Sequence, residues 1–226
     1  DVKFTELTVE WLDEFTQWME SRGNKINTRS IHLRNIRAVY NAAVKSNDAD
    51  NGMSPFSQYS IKSVRKEKRF MRSESMLRFR RIPLSDESEP TLVLAKEMFL
   101  ISFAMCGINL VDLYNLKLSD VQNGDTIVFQ RTKIKFREPE PVRLKLSEYA
   151  IMLINRHIGH DGYLLCLHEK YKDYRNCYHT LQSRIRTLGA KIGEPDMTFY
   201  WARYSWATYA SHLGIDEAVI GRALGH

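Results

Sequence analysis

The sequence predicts a mainly α-helical protein with one small antiparallel β-sheet, organised as two domains. Three observations carry this. Apolar residues recur at helical spacing over most of the chain. Two short β-prone stretches, 126–130 (TIVFQ) and 142–146 (VRLKL), flank a polar, lysine-bearing segment and read as an antiparallel pair. A basic stretch, 62–81, separates two regions of different pattern: it holds nine basic and two acidic side chains, a local balance of +7 in a chain whose total is +6.

The first helix opens at the cap candidate Thr8, with Glu10 in its first turn, and carries Trp11, Phe15, Trp18 and Met19 until Ser21-Arg22-Gly23 interrupts it. At helical spacing that aromatic stripe reads as core rather than as a platform for bases. A second helix begins near the cap candidate Asn27, turns Ile31, Ile36, Val39, Tyr40 and Ala43 inward and leaves Arg29, Arg34, Arg37 and Lys45 to solvent. Residues 46–55 are rich in Asn, Asp, Gly and Pro, which is turn chemistry. The boundaries that follow are a helical domain over 1–56, a basic linker over 57–73 and a second domain over 74–226. In the second domain an apolar helix over 91–105 breaks at Gly107, and a short helix runs through Leu110, Leu113 and Leu116. After the strand pair come helices at 147–157, 175–192, 198–213 and 216–223, the last opening at Asp216 behind Gly214.

Composition narrows the function classes. A hydrophobic content of 43% is that of a globular chain and excludes disorder throughout. No apolar run approaches the roughly 20 residues needed to span a bilayer, and no charged-then-apolar leader opens the chain, so a soluble cytoplasmic protein with no membrane partner is expected. Cys106, Cys166 and Cys177 are odd in number and form no Cys-x-x-Cys pair, which points to buried reduced thiols. His157, His160, His168 and Cys166 lack paired ligand spacing, so no metal site is expected. The density of the basic stretch, with Phe70, Met71, Leu77 and Phe79 interleaved, favours a bound polyanion over a solvated linker. A helical protein-interaction module meeting an acidic protein is the reading furthest from that pattern.

The most specific residues lie at 198–226 (TFYWARYSWATYASHLGIDEAVIGRALGH): Arg203, then Ser205-Trp206-Ala207-Thr208, the Gly214-Ile215-Asp216 turn, and Leu224-Gly225-His226. The order and spacing resemble the tyrosine recombinases (phage integrases), whose signature is a His-x-x-Arg helix, a Gly-Ile/Val-Asp turn and Leu-Gly-His. Upstream, Gly107-Ile108-Asn109-Leu110-Val111-Asp112-Leu113 resembles the family's Gly-x-Arg-x-x-Glu/Asp-Leu helix. Arg131-Thr132-Lys133 resembles its lysine-bearing hairpin. The N-terminal half, with Tyr40-Asn41-Ala42-Ala43 and Pro55-Phe56, is similar to the core-binding domain of integrases from Bacteroides-type mobile elements.

That resemblance implies a two-domain DNA clamp, a helical core-binding (SAM-like) domain followed by the catalytic domain, and a tyrosine that attacks a DNA phosphate to give a 3′-phosphotyrosyl link. It implies no metal or other cofactor. Forked guanidinium groups suit the spread charge of such a transition state, and Arg203 takes that place. Lys133, with Lys135 as its rival, would protonate the leaving 5′-oxygen, and His226 would hydrogen-bond the phosphate or orient the nucleophile. The chain departs from the pattern at Asn109, where the family has its first arginine, and at Tyr200, where it has histidine. Arg137, Arg143 and Arg222 are the basic residues considered as substitutes for the missing guanidinium. The family's nucleophile follows Leu-Gly-His by about ten residues, so the chain is expected to be a fragment that binds without cutting. A non-catalytic DNA-binding relative, regulatory or architectural, is the alternative that Asn109 and Tyr200 favour.

Double-stranded DNA is the partner implied, with self-association on it as a dimer or tetramer. Arg29, Arg34, Arg37, Lys62, Arg65, Lys66, Lys68, Arg69 and Lys135 are the expected DNA contacts, mostly to phosphates. Tyr174 and Tyr178 belong to no motif and receive no role.

Overall fold

The computed structural model describes residues 2–49, 52, 54–65, 69–133 and 140–225. Two compact units divide the chain, Asp1–Glu67 and Lys68–His226.

In the first unit a 3-10 turn (Phe4–Glu6) leads into α1 (Val9–Ser21), whose cap is Thr8: its Oγ1 accepts from the Trp11 amide at 3.2 Å. The helix buries Leu12 and Met19 against Leu33 of α2 (Ile26–Lys45). The expected aromatic core stripe is therefore displaced. Leu12 and Met19, seven residues apart, define the inward line; Trp11 and Phe15 pack beside it, and Trp18 is 53% exposed with the Arg22 guanidinium 5.4 Å from its ring centroid. The inward face of α2 is likewise Ser30, Leu33, Tyr40 and Ala43, while Ile31 and Val39 are 56% and 60% exposed. Tyr40 and Ala43 are buried as expected and Ile36 is half-buried, but Ile31 and Val39, eight apart, share the outer face, and Leu33 takes the inward place instead.

Asn27 does not cap α2, which starts one residue earlier with Lys25 at the cap. Its side-chain amide instead donates to the Val64 carbonyl at 2.8 Å and accepts from the Val64 amide at 2.9 Å, as a strand neighbour would. A short helix, α3 (Pro55–Gln58), precedes Tyr59, whose hydroxyl meets Thr16 Oγ1 at 2.8 Å; Phe56, Tyr59 and Ile61 all pack on the α1–α2 core. The residues expected to open the linker thus belong to the first unit.

The second unit starts by anchoring Met71. Its amide donates to Ser205 Oγ at 2.9 Å, its carbonyl accepts from the Tyr209 hydroxyl at 2.8 Å, and its side chain is fully buried. The basic stretch then becomes α4 (Ser73–Arg80), an amphipathic helix that buries Met76 and Phe79 and turns Arg72, Arg78 and Arg80 outward. At the centre lies α5 (Pro90–Ala104), apolar on all sides because α7 (Glu148–Arg156), α9 (Tyr174–Lys191) and α10 (Trp201–His212) pack around it. Full burial of a side chain such as Met98 or Phe99 contributes roughly 1.5–3 kcal/mol, so α5 organises the unit.

After the break at Gly107, α6 (Leu110–Asn115) leads through a 3-10 turn (Leu118–Asp120) to the sheet. Its strands are β1 (Val121–Gln122), β2 (Thr126–Phe129) and β3 (Val142–Lys145), in the order β1-β2-β3 and antiparallel throughout. Ile127 pairs with Leu144 and Phe129 with Val142, so one face carries the apolar set onto the core. Helices α8 (Leu167–Lys170) and α11 (Glu217–Ala223) complete the unit; Asp216 caps the latter through the Ala218 amide at 2.8 Å. Among the elements the pattern did not announce, α3, β1 and α8 are two to four residues long and offer no period to read, while the eight-residue α4 lay hidden in the stretch read for its basic charge. Cys166 and Cys177 are buried and Cys106 partly so, all as free thiols.

One polar cluster lies inside this packing. Glu97 of α5, 7% exposed, pairs with Arg156 Nη1 at 2.7 Å and with His157 Nε2, and Arg156 reaches Asp86 at 3.1 Å. Burial alone would lower the pKa of His157, but hydrogen bonds to Cys166 and Glu97 and the charge of Glu97 outweigh it and push it up to about 9. A pKa raised on folding means stability fully present below the unfolded value near 6.5 and lost as pH rises through about 9, an effect on the order of 3 kcal/mol. Urea unfolding at pH 6.5 and pH 10 is expected to show that loss, and His157→Gln is expected to remove most of the pH difference; an unchanged difference would place its origin elsewhere.

Candidate active site

The site is built where α5 ends. Cys106 (φ +56°) and Gly107 (φ +72°) are both left-handed, and this reversal brings the start of α6 back beside α10. A Cβ on Gly107 would sit 2.4 Å from the Arg203 Cα, so glycine is required there for space as well as conformation. Close approach lets the Gly107 carbonyl accept from Arg203 Nη1 at 3.2 Å. On the other side, Arg203 Nη2 donates to the Leu224 carbonyl at 2.6 Å. A side chain that is only 6% exposed is thereby fixed by two backbone oxygens from opposite ends of the unit.

A second guanidinium comes from the segment after β2. Arg131 is 7% exposed; its Nη1 donates to the Gly225 carbonyl at 3.1 Å, and its Nε lies 3.8 Å from Asp112 Oδ2. Gly225 is the second space-limited glycine: at φ +70° its Cβ would fall 2.3 Å from Arg131 Cδ. Asp112, 3% exposed on α6, also accepts from the Thr132 amide at 2.8 Å, which ties the hairpin to the helix. Burial first, and then the Arg131 charge, push the pKa of Arg203 down, while Tyr200 and Asp112 oppose this. An arginine stays charged through such a shift. Two cations therefore sit close enough to feel each other's charge, with the Asp112 carboxylate beside Arg131.

They face a cavity of about 340 Å³, near the lower end for ligand sites, into which Arg203, Arg131, Lys133, Asn109 and Tyr200 all project. No Asp or Glu lines it among the described residues. Lys133 is exposed, and Tyr200 is 45% exposed beside Arg203. The Asn109 Oδ1 is buried without a hydrogen-bond partner among the described residues. Such an arrangement binds an anion: planar forks to grip paired oxygens, an ammonium for charge or a proton, and a phenol to donate. A second cavity of about 540 Å³, lined by Met76, Leu77, Phe103 and Trp206, is apolar and shares no residue with it.

Of the site residues singled out from sequence, Arg203, Lys133, Tyr200 and Asn109 meet at this cavity; His226 and Lys135 lie outside the described residues. Sequence reasoning named Arg131 only as part of a motif and missed its guanidinium. The signal was its place two residues before Lys133, just past the end of β2, where the turn at Thr132 and Lys133 brings both side chains to the cavity. Among the substitutes considered for the missing arginine, Arg143 points instead to Gln122 at 3.1 Å on the sheet, Arg222 does not line the cavity, and Arg137 lies outside the described residues. Of the expected DNA contacts, Arg34, Arg37, Lys62 and Arg65 are exposed on the first unit. Arg29 is half-buried and paired with Glu20 at 2.7 Å, because it projects toward α1 rather than to solvent. Arg69, in the second unit, is exposed and paired with Asp196 at 2.6 Å, and Lys66 and Lys68 lie outside the described residues.

The fold is similar to that of solved integrases and site-specific recombinases. Residues 1–61 match the phage integrase SAM-like domain family. The Tn1549 transposon integrase in complex with circular intermediate DNA superposes with a TM-score of 0.64 at 12% identity, covering 100% of this chain and 78% of the integrase. The XerH site-specific recombinase bound to its difH substrate gives 0.65 at 18% identity over 98% of this chain and 65% of XerH. A lambda integrase tetramer bound to a Holliday junction gives 0.65 at 12% identity over 98% and 64%. A comparison with curated proteins finds no match.

Gly107→Ala is the sharpest test of this geometry. Left-handed strain and the clash with Arg203 together are expected to cost about 2–4 kcal/mol in chemical denaturation, well above Ala replacement at the open, left-handed Gly124. Equal losses at the two positions would contradict the close approach.

Proposed function

We propose that this chain is the DNA-handling part of a tyrosine-type site-specific recombinase that integrates or excises a Bacteroides-type mobile element. The observation that carries the reading is the convergence of Arg203, Arg131, Lys133 and Tyr200 on one cavity, lined by no acid among the described residues, in a recombinase fold. Arg203 and Arg131 grip the non-bridging oxygens of a DNA phosphate, Arg131 taking over from the first arginine that Asn109 lacks. A tyrosine nucleophile attacks phosphorus and releases its phenol proton to solvent; the P–O5′ bond breaks, and the leaving oxygen takes the proton of the Lys133 ammonium. Tyr200 donates a hydrogen bond to the phosphate in place of the family's histidine, and the family resemblance assigns His226 a hydrogen bond to the phosphate or the orienting of the nucleophile. No metal or cofactor enters the step.

The exposed cations Arg34, Arg37, Lys62 and Arg65, with Lys66 and Lys68 following in sequence, hold duplex backbone as a core-binding domain and linker would. The protein works as a dimer or tetramer on DNA, in the bacterial cytoplasm. No helix among the described residues is long and apolar enough to cross a membrane.

Fluorescence anisotropy on a 30-bp duplex is expected to give a log–log salt slope near −5 for about six phosphate contacts. Arg131→Ala and Arg203→Ala are each expected to weaken binding about tenfold or more, a charged hydrogen bond being worth about 1.5–3 kcal/mol, and to flatten the slope by about 0.9. Covalent capture on a nicked duplex by the protein of the whole reading frame, abolished in Arg203→Ala, would establish the enzyme. Binding without an adduct would favour a non-catalytic regulator or architectural factor, and binding no tighter than to heparin would overturn the DNA reading.

A further inference from the structure

Two tyrosines that no motif announced also line the cavity, Tyr174 and Tyr178 on the first turns of α9. They lie four apart and so share a face, with ring centroids 6.1 Å apart and planes tilted by 44°. Their surroundings differ. Tyr174 is half-buried, packs edge-on against Tyr114 at 5.6 Å, and is held protonated because burial pushes its phenol up to about 12. Packing accounts for it. Tyr178 is 40% exposed, rests on Tyr174 and His179, and buries too little surface to belong to the core. The helix that carries it has no acidic residue from 174 to 191, and Arg175, His179 and Arg186 on it are exposed. A neutral aromatic face is thus presented at the mouth of a cationic pocket, on an element that repels no phosphate.

We propose that Tyr178, braced from behind by Tyr174, is a positioning residue: its ring packs against the nucleotide next to the gripped phosphate and sets where that phosphate sits in the pocket. This rests on the DNA reading above and adds a contact to it. A ring makes apolar contact with sugar and base edge in any sequence and displaces no counterion. Its signature therefore separates it from the arginines and Lys133, which change the salt slope when removed.

The test uses the full chain and the same 30-bp duplex of mixed sequence, with anisotropy measured across salt and thermal unfolding in parallel. Tyr178→Ala is expected to bind about five- to tenfold more weakly with an unchanged salt slope and an unchanged melting temperature, the residue being exposed. Tyr178→Phe keeps the ring and is expected to bind within about twofold of the parent. Wild-type affinity in Tyr178→Ala, or an equal loss in Tyr178→Phe, would overturn the ring contact while leaving the DNA reading standing. Absence of salt-dependent duplex binding by the parent chain would remove both.

Discussion

Two guanidinium groups buried side by side define what the rest of the second unit has to do. Like charges in a poorly solvated place repel and are costly unless something is arranged around them. Here Asp112 supplies an opposing carboxylate, and the carbonyls of Gly107, Leu224 and Gly225 take the forked donors. The remaining electrostatic demand is directed at the cavity, where an anion would satisfy it. A site of this kind is organised before its ligand arrives, so little rearrangement opposes binding.

Much of the surrounding structure can be read as the support for that pair. The left-handed turn at Gly107 and the left-handed Gly225 exist where a side chain would strike Arg203 or Arg131. Ser205 and Tyr209, on the helix that presents Arg203, hold the entry segment at Met71. The apolar α5 gives α10 a rigid bed, and the hairpin is tied to α6 by the Thr132–Asp112 hydrogen bond. These contacts fix the guanidinium groups, and misplacement by about 1 Å is enough to weaken oriented recognition severely.

The helices were legible because their apolar spacing is strong, and most ends fell within three residues of those found. Phase was harder than period. On α2 Tyr40 and Ala43 were read inward correctly, but the choice between Ile31 with Val39 and Leu33 depends on where α1 lies, which no local pattern contains. Asn27 shows a second limit: its side chain suits a helix cap, but a partner 37 residues away claims it. Within the site, residues that belong to a spacing motif were found, and those placed by tertiary packing were not. Arg131 stood two residues from Lys133 and was overlooked because the missing arginine was sought at free basic positions. Tyr178 had no neighbour in sequence to suggest a role.

The central claim is that Arg131 and Arg203 act on one phosphate as a pair. A double-mutant cycle measures this: dissociation constants for duplex DNA from the parent chain, Arg131→Ala, Arg203→Ala and the double variant. A shared ligand predicts strong coupling, above about 1 kcal/mol, with the double variant little weaker than either single one. Losses that add to within about 0.5 kcal/mol would mean that the two groups serve separate contacts, and the account of the site would fail.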